Sequence, residues 1–557
     1  MEQIHEFLKA PDFIIVGIYL LVLVGIGYWV SFVKKDKTQK EENLFLAGRS
    51  LGWSSIGLTM WGTNVGPSML IASASIGYTT GIVAGNFGWY AFVFIFLLAV
   101  VFAPRYLGAN VQTLPEFMGK RFGQSTRTIL AWYTLATILI SWLALTLFAG
   151  GILVSQILNL PLWMSVIILV IIAAFFTIAG GLKAIAYTNV FQMILLIVVS
   201  LALTVIGVIK AGGPMEIFHA TPGEYWNLLL PRDNASYPWL AIVLGYPVMG
   251  VWFWCTDQSM VQSVLGAKNL QQGQLGANFT GWLKILDVAL FIIPGITCFV
   301  LFPNLSNPDE AYMTMVTRLL PTGMVGMVMA VLIAALVSTI DSALNSLSTV
   351  FTMDIYIKKF RPEASQKEIV TIGRVVTVIG AVIAVFLAIA FESVSGLNLF
   401  DKFQAVLGFI APPMSVVFLF GVLWKKTTRR AANFTLSVGT VISIGIGIIY
   451  IFIKPELFEG LNPATNSEII NKSLLLLINA GYSIVAYLHS VHFLLLSFYI
   501  FVLLAVLAFL ITMLDPKSES QNELDYGKLP TPTKKVWIMW GALILVMVSM
   551  YIIFNGH

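Results

Sequence analysis

Charge is what this chain has least of. Of its 557 residues only 11% are Asp, Glu, Lys or Arg, while 58% are hydrophobic. A soluble domain carries about 25% charged residues, so a string of soluble domains is excluded and lipid must cover much of the surface. Cysteine is nearly absent: Cys255 and Cys298 lie far apart in apolar runs, which excludes a disulfide framework and a thiolate metal site. Among five histidines, His489 and His492 form one close pair, but no carboxylate or cysteine cluster accompanies them. Histidines at a membrane surface are the better reading. No phosphate-cradling loop, zinc motif or nucleophile elbow is present, so neither a catalytic site nor an organic cofactor is expected. The net charge of +5 is no sign of a nucleic-acid partner in a chain so apolar. The N-terminus, MEQIHEFLKAPD, lacks a basic leader and a cleavage site, and its first apolar run is too long for a signal peptide, so a retained helix is expected.

What the sequence has in abundance is apolar runs of spanning length. A membrane helix needs ~20 mostly apolar residues. Fourteen stretches qualify: 11–33, 52–78, 82–103, 125–156, 161–181, 185–211, 238–258, 273–303, 321–352, 370–392, 400–424, 430–453, 487–514 and 535–554. The expected fold class is therefore an all-α polytopic membrane protein with about 14 transmembrane helices. Alternate connections, counted with the span ends beside them, carry 23 Lys and Arg, and the opposite side, counted likewise with both tails, carries 7. Cationic connections stay in the cytoplasm, so both termini are expected outside a plasma (inner) membrane. The polar inner connection 515–534 reads as flexible; the long outer connections 212–237 and 454–486 carry no legible motif.

Two spans are interrupted. Residues 58–78, LTMWGTNVGPSMLIASASIGY, are broken at Gly62, Asn64, Gly66 and Pro67. Freed backbone groups survive in a bilayer only inside protein or beside a cavity. Residues 238–258 hold Gly245, Pro247 and Gly250 at mid-depth, five spans later. Paired broken spans are the best sequence pointer to a transporter built from inverted repeats. This gives one transmembrane transporter domain over 1–557, with repeats at 52–211 and 238–424 and peripheral segments at 1–51 and 425–557.

Residues 331–354 place Ser338, Thr339, Ser342 and Asn345 along one strip of a helix. Such residues often glue membrane helices together. Beside a broken helix that frees carbonyls, the same hydroxyls suit Na+, a hard cation that prefers oxygen. Asp341, near mid-membrane, calls for an ion, a cavity or a partner, whereas Asp354 reads as a boundary residue. Lys284 either donates to a polar solute or pairs with Asp287 at i,i+3. Gln404 could bond a hydroxylated solute or a neighbouring helix.

At these residues the chain resembles the sodium:solute symporter family, particularly its sodium/glucose cotransporter branch. The resemblance runs from about Leu44 to Arg430 through NLFLAGRSLGW, TNVGPS, TLPEFMGKRFG, AGGLKAIAYTNVFQ, WFWCTDQSMVQSVLGAKN, ALVSTIDSALNSLSTVFTMDIY, FQAVLGFIAPP and FGVLWKKTTRR. It implies a LeuT-like 5+5 inverted repeat and solute import coupled to inward Na+ flow, with Na+ as coupling ion. By position, it implies a sodium site from backbone oxygens of Gly62, Val65 and Ala335 and the hydroxyls of Ser338 and Thr339. A solute site would involve Ser68, Met69, Phe253, Lys284 and Gln404. The sugar-binding pattern is altered: sugar-transporting relatives have Gln or His at Met69, Glu at Gly88, Tyr at Phe253, and Asn or Thr at Gly250. Losing a buried partner for a hydroxyl costs about 1–3 kcal/mol, which argues against glucose held in the familiar way. A sugar derivative, polyol or sugar acid fits, and Lys284 suits an anionic one. The family often has Asp at the position of Asn189 and Thr at that of Asp341, so a second cation site is expected in which the carboxylate has moved between helices. The rival readings are a transporter-like membrane sensor and a membrane enzyme.

Overall fold

The structure is a computed structural model that describes residues 8–30, 44–234, 236–391, 399–453, 472–515 and 531–555. Among the described residues twelve helices are long and apolar enough to cross a membrane. Two of the fourteen expected stretches are not counted separately. Residues 52–78 are split in two, and the second half runs on into the next span; within 161–181 the apolar helix, Leu162–Phe175, is short.

The first helix, α1 (Ala10–Tyr28), begins with Pro11 in its first turn and buries Asp12, Val16, Tyr19 and Leu23. Those positions recur every three to four residues, so α1 turns one stripe inward and the rest outward. The broken span forms α2 (Trp53–Asn64) and α3 (Pro67–Thr80). Between them Val65 (φ −85°, ψ 87°) leaves the helix and Gly66 (φ −99°, ψ 164°) is extended. Proline explains the place of the break. Its ring disfavours α geometry in the preceding residue, and its missing N–H is harmless in a first turn. The spans expected at 161–181 and 185–211 form α4 (Leu162–Lys210), bent at Gly181 (φ 56°, ψ −154°). Only glycine fits there, because a Cβ would collide with the Leu44 carbonyl.

The second interruption lies later than expected. Helix α5 (Trp239–Val251) runs unbroken through Gly245, Pro247 and Gly250, and helical turns continue to Thr256. The chain departs from helix at Asp257 (φ −82°, ψ 128°) and resumes as α6 (Gln258–Leu265). Gly245 serves packing instead, since a Cβ there would strike the Leu494 backbone. Just beyond Pro247, the Val248 carbonyl takes a bond from Ser415 Oγ (2.7 Å). Asp257 makes its own break stable: Oδ1 accepts from Ser259 N (2.9 Å) and Met260 N (3.2 Å), and Oδ2 from Trp142 Nε1 (3.1 Å).

The chain divides into two compact units. The first holds residues 1–230, 254–400 and 522–557. Here α7 (Leu270–Asp287) packs along α2, and α8 (Met324–Val350) packs on α1, α2 and α4. Helix α8 is buried almost throughout, so its polar residues lie inside protein. Asp12 joins α1 to it, accepting from Gly323 N (2.7 Å) and Gly326 N (2.8 Å) at the α8 N-terminus. Helix N-termini leave such amides unpaired and favour an anion.

The second unit holds residues 231–253 and 401–521, including most of α9 (Leu399–Leu423) and all of α10 (Phe493–Leu514). His492 caps α10, with Nδ1 accepting from Leu494 N (3.3 Å) and Nε2 facing Ser236 O (2.9 Å). His489 Nε2 faces Ile453 O (2.9 Å). Both rings thus serve backbone groups. Burial disfavours the charged imidazole and lowers His492 from 6.5 to about 4 against the opposing Ser236 bond. The unfolded chain therefore binds the extra proton first. Stability from this residue should be full above pH 6.5 and decline as pH falls towards 4. In His492→Asn, which keeps a capping acceptor, thermal unfolding between pH 7 and 4 should show a shallower decline than in wild type.

Candidate functional site

The break frees three acceptors at the end of α2, the carbonyls of Gly62, Thr63 and Val65. Gly66 N turns to Asn64 O (3.1 Å) and Met69 N to Gly66 O (3.0 Å). Gly62 and Val65 thereby lose the partners a continuous helix would supply, and Pro67 has no N–H to offer Thr63. The facing turn of α8 carries Ala335, Ser338 and Thr339, all buried. Ser338 Oγ has no hydrogen-bond partner. A Cβ on Gly62 would stand 3.2 Å from that oxygen and 2.9 Å from the Met193 sulfur, so glycine lets the α2 backbone approach the hydroxyl. Thr339 Oγ1 lies 3.1 Å from Ala335 O and 3.2 Å from Thr63 O. It has one proton and can donate to only one carbonyl at a time. The arrangement is a cluster of buried oxygens short of donors, which suits a hard monovalent cation.

The structure thus brings Gly62, Ala335, Ser338 and Thr339 together, with Val65 at the adjoining turn. Thr63, which sequence reasoning passed over, also faces α8: its Oγ1 donates to Thr59 O (2.8 Å) and lies 3.0 Å from Ser342 Oγ. Its signal was its place four residues before a proline, where no N–H answers its carbonyl.

Beyond the break, Lys284 and Asp287 form a fully buried ion pair one turn apart on α7. Lys284 Nζ also donates to Asn64 Oδ1 (2.6 Å) and lies 5.6 Å from the Trp254 ring centroid. Trp61 Nε1 donates to Asp287 Oδ1 (2.8 Å). Gly88 makes room for the carboxylate, since a Cβ there would stand 2.9 Å from Asp287 Oδ2. Met69 is half-buried in the first turn of α3, where Ser68 also lies with its side chain outside the described residues. Phe253 and the buried Gln404 belong to the second unit.

Asn189 on α4 and Asp341 on α8 are both buried. Both amide atoms of Asn189 and Oδ2 of Asp341 have no hydrogen-bond partner. The Asp341 carbonyl accepts from Thr177 Oγ1 (3.2 Å). Two further buried residues were missed. Gln192 follows Asn189 by one helical turn and its amide is equally unpartnered, and Tyr19 of α1 stacks on the adjacent Phe191 (ring centroids 6.1 Å). The i,i+3 spacing could have found Gln192; Tyr19 had no local signal. Asp354, expected at a boundary, is buried and paired with Arg127. Among the described residues no group of three or more His, Cys, Asp or Glu could hold a metal.

Comparison with known proteins agrees with the helical, membrane-spanning fold. The family model for the sodium:solute symporter family matches residues 44–439. The sodium/myo-inositol cotransporter 2 of Oryctolagus cuniculus is 32% identical over 80% of this chain and 71% of its own length. The sodium/glucose cotransporter of Vibrio parahaemolyticus is 30% identical over 81% of this chain and 87% of its own. A solved structure of a Na+-coupled sialic acid symporter, substrate-bound and outward-open, covers 91% of this chain and 98% of its own at 17% identity, with a TM-score of 0.71.

Breaking a buried ion pair costs about 3–5 kcal/mol because it strands the other charge. Lys284→Met and Asp287→Leu should each lower the unfolding temperature in detergent strongly, and the double variant should lose much less than the two losses combined. Additive losses would show that the pair is not coupled.

Proposed function

Because the chain belongs to the sodium:solute symporter family, we propose that it is a sodium-coupled secondary symporter that imports a neutral, polyhydroxylated solute, a sugar or cyclitol, by alternating access. It is a multi-pass membrane transporter and not an enzyme. Sugar and inositol cotransport by its relatives supports the solute class.

The observation that carries the reading is the buried, unpartnered Ser338 hydroxyl opposite Gly62. In this proposal Na+ sits between α2 and α8, on the oxygens of Gly62, Val65, Ala335, Ser338 and Thr339. Na+ bound there stabilises the outward-facing arrangement, and its loss to the cytoplasm releases the solute; an ion shifts such an equilibrium only through unequal affinity for the two states. In the first unit the solute site is proposed to draw on Ser68, Met69 and Lys284. The Lys284–Asp287 pair supports a neutral solute. The other buried cations among the described residues are Arg121 and Arg127, and Arg127 is bound to Asp354. A sugar acid at Lys284 would compete with Asp287, whereas hydroxyls can bond both members of the pair.

The finer architecture belongs to the same proposal: fourteen helices, a LeuT-like 5+5 inverted repeat over 52–211 and 238–424, segments 1–51 and 425–557 outside the repeats, and both termini outside the plasma (inner) membrane. The two interrupted spans and the 23-to-7 Lys and Arg distribution support it. A second cation at Asp341 and Asn189 is also proposed, since a buried carboxylate without a cationic partner demands neutralisation.

Uptake into proteoliposomes under an inward Na+ gradient tests the reading. Labelled myo-inositol or glucose should accumulate, and sialic acid or glucuronate should not. Ser338→Ala should raise half-saturating Na+ about tenfold, the effect of losing roughly 1.4 kcal/mol of ligand energy, with the solute preference unchanged. Preferred uptake of the anions would overturn the solute class. Altered solute preference with unaltered Na+ dependence would overturn the sodium site.

A further inference from the structure

Helix α1 lies outside the expected repeats, yet it reaches the most conspicuous group of buried polar atoms left over in the first unit. Asp341 Oδ2 and both amide atoms of Gln192 are buried with no hydrogen-bond partner. The Tyr19 ring stacks on Phe191 (centroids 6.1 Å apart), the residue before Gln192, and its buried hydroxyl has no hydrogen-bond partner. Met193, the residue after Gln192, and Ser338, three residues before Asp341, both meet the Cβ position of Gly62, at 2.9 and 3.2 Å. The neighbouring hydroxyls are engaged. Thr177 Oγ1 bonds the Asp341 main chain (3.2 Å), and Ser342 Oγ lies 3.0 Å from Thr63 Oγ1 and 3.4 Å from Asp341 Oδ1. Among the described residues no Lys or Arg forms an ion pair with Asp341.

We propose that Gln192 is a ligand of the Na+ held by Asp341, and that Tyr19 of α1 is the positioning residue that turns the Gln192 amide towards it. This rests on the second-cation reading of Asp341. An amide has a donor end and an acceptor end. When Gln192 Nε2 donates to Tyr19 Oη, its Oε1 is left free for the cation. A single proton could neutralise the carboxylate with no help, so the neutral oxygens around it favour Na+ as the occupant. Helix α1 is held for this task by Asp12, two turns before Tyr19 on the same buried stripe, whose carboxylate takes Gly323 N and Gly326 N at the head of α8. The helix carrying Asp341 and the helix carrying Tyr19 are thereby tied together. A Cβ on Gly326 would stand 2.5 Å from Asp12 Cα, so the contact depends on glycine there.

Reversal potentials in proteoliposomes give the number of Na+ ions moved per solute, a quantity that general loss of packing does not change. Asp341→Asn, Gln192→Leu and Tyr19→Phe are compared with wild type. Gln192→Leu should lower the coupling ratio as Asp341→Asn does, and Tyr19→Phe should raise half-saturating Na+ about fivefold. Gln192→Asn, which keeps an amide, should recover part of the ratio. Should a variant transport too poorly, NaCl-dependent protection against thermal unfolding, with choline chloride as reference, reads the same site in detergent. An unchanged ratio and unchanged Na+ protection in Asp341→Asn would remove the second-cation reading itself. A change in Asp341→Asn with wild-type behaviour in Gln192→Leu and Tyr19→Phe would overturn only the part assigned to α1.

Discussion

Everything in the first unit answers to one constraint: a helix inside a membrane has been interrupted, and its carbonyls must find partners without water. Pro67 removes one N–H, and Gly66 and Met69 turn theirs elsewhere. Of the carbonyls so released, that of Thr63 meets Thr339 on α8 (3.2 Å), where oxygens outnumber protons. A lipid-exposed break of this kind would cost several kcal/mol for each unsatisfied group. Buried beside α8, it is the place proposed for a small cation.

Charge is managed by the same economy of partners. Lys284 answers Asp287, Arg127 answers Asp354, and Asp12 answers two amides at a helix head. Asp341 is buried without such an answer. In the proposed mechanism the settled pair at Lys284 favours a solute without charge, and the Asp341 carboxylate favours a second cation. Helices α2, α4 and α8 all carry buried oxygen-bearing side chains.

Much of this was legible because it is local. Gly62, Gly66 and Pro67 announce a break through backbone chemistry alone, and the Lys284–Asp287 pair follows from helical spacing. The second interruption was misplaced for a physical reason. Gly245 allows a close approach to Leu494 rather than a bend, while the departure at Asp257 depends on Trp142, 115 residues earlier. Tyr19 and Asp12 were out of reach for the same reason. Their meaning depends on which helix α1 lies against, and a lipid-facing amphipathic pattern does not name its partner.

The central claim is that the break and α8 together hold a sodium ion. Direct binding of labelled Na+ to the purified protein, without solute, tests it with no assumption about cargo. The account predicts saturable binding, resistant to excess K+, with one fewer ion per chain when Ser338 and Thr339 are both replaced by alanine. An unchanged number and affinity of bound ions in that folded double variant would contradict it.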